Sequence, residues 1–94
     1  MKKITINGKE YAVKPIDFNA ISALEKKGMS LKEAETQTVT TIRALVALVM
    51  DCDADKAGNE IDQHLANGGK FSDFAVLVEN FTNSDFFRNI SRQQ

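Results

Sequence analysis

Asn7-Gly8, set between two short runs of alternating apolar and polar residues, constrains the fold of this chain more than any other feature. Ile4-Thr5-Ile6 precedes it and Lys9-Glu10-Tyr11-Ala12-Val13 follows it. An Asn-Gly pair suits a type I′ turn, which needs positive φ at both central residues, so a β-hairpin is expected from about Ile4 to Val13. Pro15 cannot continue a central strand and ends the hairpin. Beyond it the apolar spacing changes to three and four, the helical period. The expected class is α+β, mainly α, with an N-terminal β-hairpin followed by a compact bundle of four or five helices. Residues 1–94 are expected to form a single domain.

Helix punctuation divides the remainder. Asp17 is placed to cap a first helix carrying Phe18, Ile21 and Leu24 on one face, with Gly28 as its C′ residue. Ser30 and Glu33 have the spacing of a capping box. The most apolar helix is expected from about Thr36 to Met50, with Val39, Ile42, Val46 and Val49 as a stripe and Leu45 and Leu48 widening it. Only Arg43 carries charge between Gln37 and Met50, so this helix belongs at the centre. Asp51-Cys52-Asp53 breaks it, and Asp53 can cap a helix from Ala54 to Ala66 whose apolar face is Ala57, Ile61 and Leu65. Asn67-Gly68-Gly69 is a stop. A last amphipathic helix carries Phe71, Phe74, Leu77, Val78 and Phe81, and Asn83-Ser84 interrupts it before Phe86, Phe87 and Ile90.

Bulk composition narrows the function classes. A net charge of −1 with both signs interspersed lacks the clustered cations of a nucleic-acid footprint. The single cysteine excludes an intramolecular disulfide. Met1-Lys2-Lys3 is not followed by the apolar run of a secretion signal, and Ala44 to Met50 is far shorter than the ~20 residues of a membrane span. A cytoplasmic protein is expected.

The chemistry-bearing residues do not assemble into a catalytic motif. Asp51, Asp53 and Asp55 have the opening spacing of a calcium loop, but Lys56 stands where glycine is needed and Asp62 where a bidentate glutamate is needed. Helix capping is the better account of them. His64, the only histidine, lies four residues after Glu60 with no nucleophile in frame, and is expected on the solvent face of its helix. Cys52 and His64 together fall short of a zinc set. Gly68-Gly69-Lys70 lacks the spacing and the Ser/Thr of a phosphate loop. Cys52 is expected to be a partly buried apolar residue whose thiol is pushed up by Asp51 and Asp53. No enzyme activity, cofactor or metal is expected.

Five of the six phenylalanines lie between Phe71 and Phe87. Phe74, Leu77 and Phe81 are expected to pack on Val39, Ile42 and Val46. Phe86 and Phe87 point about 100° apart on a helix and cannot both face one core. Phe86, Phe87 and Ile90 are therefore the candidate protein-binding residues.

The order of these parts resembles the small tail assembly chaperones of long-tailed bacteriophages, particularly those of Gram-positive hosts. The likeness is carried by Ile4-Thr5-Ile6-Asn7-Gly8-Lys9-Glu10-Tyr11, Asp17-Phe18-Asn19-Ala20-Ile21 and Ala44-Leu45-Val46-Ala47. Further along it is carried by Ala57-Gly58 with Ile61, Gly68-Gly69, and Asn83-Ser84-Asp85-Phe86-Phe87-Arg88. The resemblance implies a non-enzymatic protein that coats the tape-measure protein, recruits tail-tube protein and self-associates into a homo-oligomer. The alternative is a small cytosolic regulator or nucleic-acid-associated protein using Lys2, Lys3, Lys9 and Lys14 beside the hairpin.

Overall fold

The computed structural model describes residues 2–30, 38–84 and 88. An antiparallel hairpin of β1 (Lys3–Ile6) and β2 (Lys9–Ala12) comes first. Four α-helices follow among the described residues: α1 (Phe18–Lys26), α2 (Thr38–Met50), α3 (Ala54–Ala66) and α4 (Ala75–Thr82). A 3₁₀ turn over Phe71–Phe74 leads directly into α4. The fold is therefore compact α+β and mainly helical, with the hairpin at its N-terminus, as the periodicity indicated.

Ile6 pairs with Lys9, leaving Asn7 and Gly8 as a two-residue turn with φ of 54° and 79°. Two successive positive φ values are the signature of the type I′ turn, whose twist matches that of the strands. Val13 N–H donates to Lys2 O and extends the ladder by one rung. Strand alternation puts Ile4, Ile6, Lys9 and Tyr11 on one face, and Ile4 and Ile6 are buried there. Lys3, Thr5, Glu10 and Ala12 face outward and are exposed.

Three helices end in the same way. In α1, Met29 N–H reaches back to Leu24 O and Gly28 N–H to Glu25 O, with Gly28 at φ 99°. In α3, Gly69 N–H bonds His64 O and Gly68 N–H bonds Leu65 O, with Gly68 at φ 96°. These are Schellman motifs, which satisfy the last carbonyls of a helix by a left-handed residue. The end of α2 repeats the pattern through Cys52 N–H to Ala47 O and Asp51 N–H to Leu48 O. There the left-handed residue is Asp51, at φ 57°.

α2 is the centre, in contact with α1, α3, α4 and β2. Thr41, Ile42, Ala44, Leu45, Val46, Ala47 and Val49 are all buried, so it is covered over most of its circumference. Ala44 and Ala47 meet the neighbouring elements without bulk, and α3 contributes the equally small, buried Ala57. Phe74, Leu77 and Phe81 close the core from the C-terminal side. Lys27 Nζ donates to Cys52 O at 2.7 Å and Asn80 Nδ2 to Lys14 O at 2.9 Å, tying the ends of the layers together.

Several expected faces are corrected. Val39 does not join the buried stripe of α2 and is 72% exposed, because it lies in the first turn, ahead of the segment that its neighbours cover. Phe18, the first residue of α1, is 73% exposed while Ile21 and Leu24 are buried. The last helix does not begin at Phe71: the 3₁₀ turn intervenes and leaves Phe71 half exposed. The Ser30–Glu33 capping box lies outside the described residues in part, since Glu33 is not among them.

Candidate functional site

A polar assembly joins the hairpin turn, the end of α3 and the 3₁₀ turn. Its centre is His64, which is buried rather than solvent-facing as expected. Helical geometry accounts for the correction. At about 100° per residue, His64 falls roughly 20° from the direction of the buried Ala57, whereas Leu65 falls roughly 80° away. The inward face of α3 is therefore Ala57, Ile61 and His64, and Leu65 is left 37% exposed.

Both ring nitrogens of His64 are engaged. Asn7 N–H donates to Nδ1 at 3.1 Å, so Nδ1 is an acceptor and the proton sits on Nε2. Nε2–H then donates to Asp73 Oδ2 at 2.9 Å. The same carboxylate oxygen accepts the Lys70 N–H at 2.9 Å, while Asp73 N–H returns to Lys70 O. That local closure bends the chain into the 3₁₀ turn. The Lys70 N–H first, and the His64 ring second, hold the Asp73 carboxyl below the usual carboxylate range.

Asn7 adds a second link, with Nδ2 donating to Glu60 O at 3.0 Å. Its Oδ1 is buried and finds no partner among the described residues. The imidazole lies edge-on to Phe74, centroids 5.3 Å apart, and Phe71 also packs edge-on to Phe74 at 6.4 Å. Gly69 leaves the room for this arrangement: a Cβ there would run into the His64 ring and come within 2.7 Å of its carbonyl.

In this geometry His64 latches the three segments together. A histidine acting as general base keeps one nitrogen available to substrate while a carboxylate orients the other. Here the hairpin backbone occupies one and Asp73 the other. Glu60 contributes its carbonyl oxygen to Asn7, and its side chain is not the partner of His64.

The remaining candidates take structural positions as well. Asp53 caps α3, its Oδ1 accepting Lys56 N–H at 2.7 Å, and Asp17 caps α1 by accepting Ala20 N–H at 2.8 Å. Asp51 serves as the left-handed residue ending α2. Cys52 is half-buried and its thiol is pushed up, chiefly by burial, with Asp53 adding and Lys56 and Lys27 opposing. The direction matches expectation, although burial outweighs the carboxylates. Among the described residues no group of three His, Cys, Asp or Glu side chains could hold a metal ion.

The hairpin lysines are divided. Lys3 faces outward and pairs with Glu10 at 3.2 Å, while Lys9 lies on the other face, 5.7 Å over the Tyr11 ring. The exposed large apolar residues are Phe18, Val39, Leu65 and Phe71 among those described. The candidate binding residues Phe86, Phe87 and Ile90 lie outside the described residues. Arg88 N–H donates to Ser84 O at 3.1 Å.

The fold thus defines a small hairpin-capped helical domain with an internal polar latch and apolar side chains at its surface. The chain matches no protein-family model, no curated protein and no solved structure. Among the described residues no helix is long and apolar enough to cross a membrane.

Proposed function

We propose that this protein is a tail assembly chaperone of a long-tailed bacteriophage, acting without catalysis in the host cytoplasm. In this reading it binds the tape-measure protein, helps to recruit tail-tube protein and works as a homo-oligomer. The observation that carries the proposal is the placement of large apolar side chains at the surface of helical elements. Val39 is 72% exposed on α2, Phe71 is 47% exposed at the start of the 3₁₀ turn, and Leu65 is 37% exposed on α3. Aromatic and aliphatic anchors of this kind supply binding energy to an apolar helical partner. Phe86, Phe87 and Ile90, which lie outside the described residues, are kept as candidate binding residues on the sequence alone. The engagement of both His64 nitrogens within the fold also favours a binding protein over an enzyme.

Co-expression with the tape-measure protein of the same genome tests the reading. The expected result is a tape-measure protein that is soluble in the presence of this chain and aggregated in its absence. Equal aggregation in both cases would contradict the proposal.

A further inference from the structure

The chain contains two Asn-Gly pairs, Asn7-Gly8 and Asn67-Gly68, in opposite structural situations. We propose that Asn67 is a site of spontaneous deamidation in the folded protein and that the His64 latch spares Asn7. The chemistry is intramolecular and needs only water. The Gly68 backbone nitrogen gives its proton to solvent and attacks Asn67 Cγ. A Gly68 N–Cγ bond forms, the Cγ–Nδ2 bond breaks, and Nδ2 leaves as ammonia after taking a proton from water. Water then opens the cyclic imide. Cleavage between Gly68 N and Cγ yields aspartate, and cleavage between Gly68 N and the Asn67 main-chain carbonyl carbon yields isoaspartate. No electron transfer is involved. A following glycine favours the attack because it has no Cβ to obstruct it.

At Asn67 the surroundings oppose the chemistry less than at Asn7. The residue is the exposed C-cap of α3, so charge developing on Oδ1 is solvated. The attacking nitrogen is held by the longer of the two Schellman bonds, 3.3 Å to Leu65 O, just outside the usual range for an N–H···O bond.

At Asn7 the same chemistry is opposed twice. Nδ2 is held on Glu60 O and the backbone N–H on His64 Nδ1, so the side chain is turned onto α3 instead of back toward Gly8. The oxyanion of the addition step would form on Oδ1, which is buried with no donor among the described residues. Charge developing in such a place is strongly disfavoured. Reaction at Asn7 therefore requires the hairpin turn to open first.

Conversion at Asn67 alters the end of α3. Aspartate adds negative charge where the helix dipole is already negative. Isoaspartate lengthens the backbone next to Gly68 and Gly69, which return hydrogen bonds to Leu65 and His64.

The test is peptide mapping of the intact protein after incubation at mildly alkaline pH, natively and in concentrated urea. Native protein should convert Asn67 at least about tenfold faster than Asn7, because two hydrogen bonds must break before Asn7 can react. In urea the difference should largely disappear. Three results would overturn the proposal: native Asn7 converting as fast as Asn67, native Asn67 remaining intact while both convert in urea, or an undiminished difference in urea. The last would assign the preference to neighbouring sequence and not to the fold.

Discussion

A single imidazole joins three segments that lie far apart in the chain. His64 receives the Asn7 N–H, donates to Asp73 and rests against Phe74, so its side chain sets the hairpin turn and the 3₁₀ turn on α3. Gly69 is the residue most intolerant of change in this region, since any side chain there meets the ring. Gly69→Ala is expected to cost about 1–3 kcal/mol in thermal or chemical unfolding, the range for overpacking a tight site. An unchanged midpoint would show that the ring moves aside freely. Asp73 gives the latch a pH signature. Its carboxyl is held below its ordinary range in the folded state, so its stabilisation is complete above the unfolded carboxylate value and is lost as pH falls through the folded one. Unfolding measured across the acid range should show a weaker loss of stability in Asp73→Asn than in the parent. Identical acid limbs would separate Asp73 from acid stability.

At the level of elements, helix ends explain much of what could be read in advance. Asp17 and Asp53 cap the helices they were expected to cap, and Gly28 and Gly68 take the left-handed positions that stop α1 and α3. The hairpin was equally legible, because Asn7-Gly8 has one favourable turn geometry and the alternation on either side fixes which residues face inward. Long-range polar pairing was not legible. Nothing local to His64 announces Asn7, 57 positions earlier, as its partner. The finer signal was angular: His64 continues the direction of Ala57 and Ile61 better than Leu65 does. The break before α4 was hidden for a similar reason, since the apolar spacing of Phe71, Phe74 and Leu77 does not reveal that Asp73 folds back on Lys70. The α2 terminus offers a direct test of the capping argument. Asp51 adopts φ 57° and also places a carboxylate at the negative end of a helix. Asp51→Gly relieves both and should stabilise the domain by up to about 1 kcal/mol, read as a higher unfolding midpoint. A lower midpoint would mean that the carboxylate makes a compensating interaction.

On the scale of the molecule, the division between buried and exposed aromatics separates what holds the fold from what is available to a partner. Phe74 is fully buried between the latch and the core, whereas Phe71, three residues earlier, is half exposed. Phe74→Ala is expected to cost about 3–5 kcal/mol of folding stability. Phe71→Ala should leave most of the stability intact and weaken partner binding or self-association by about 1–4 kcal/mol. Thermal unfolding and concentration-dependent sedimentation, applied to both variants, distinguish the two roles. Matching losses of stability would assign Phe71 to the core. The central proposal, that exposed apolar side chains on helical elements receive the tape-measure protein, is tested most directly by amide chemical-shift mapping during titration with a helical tape-measure segment. The account predicts shifts centred on Val39, Leu65 and Phe71, with little sensitivity to salt and little change at Thr5 and Glu10. Absence of shifts with that segment, together with salt-sensitive shifts at Lys3, Lys9 and Lys14 on adding DNA, would contradict it.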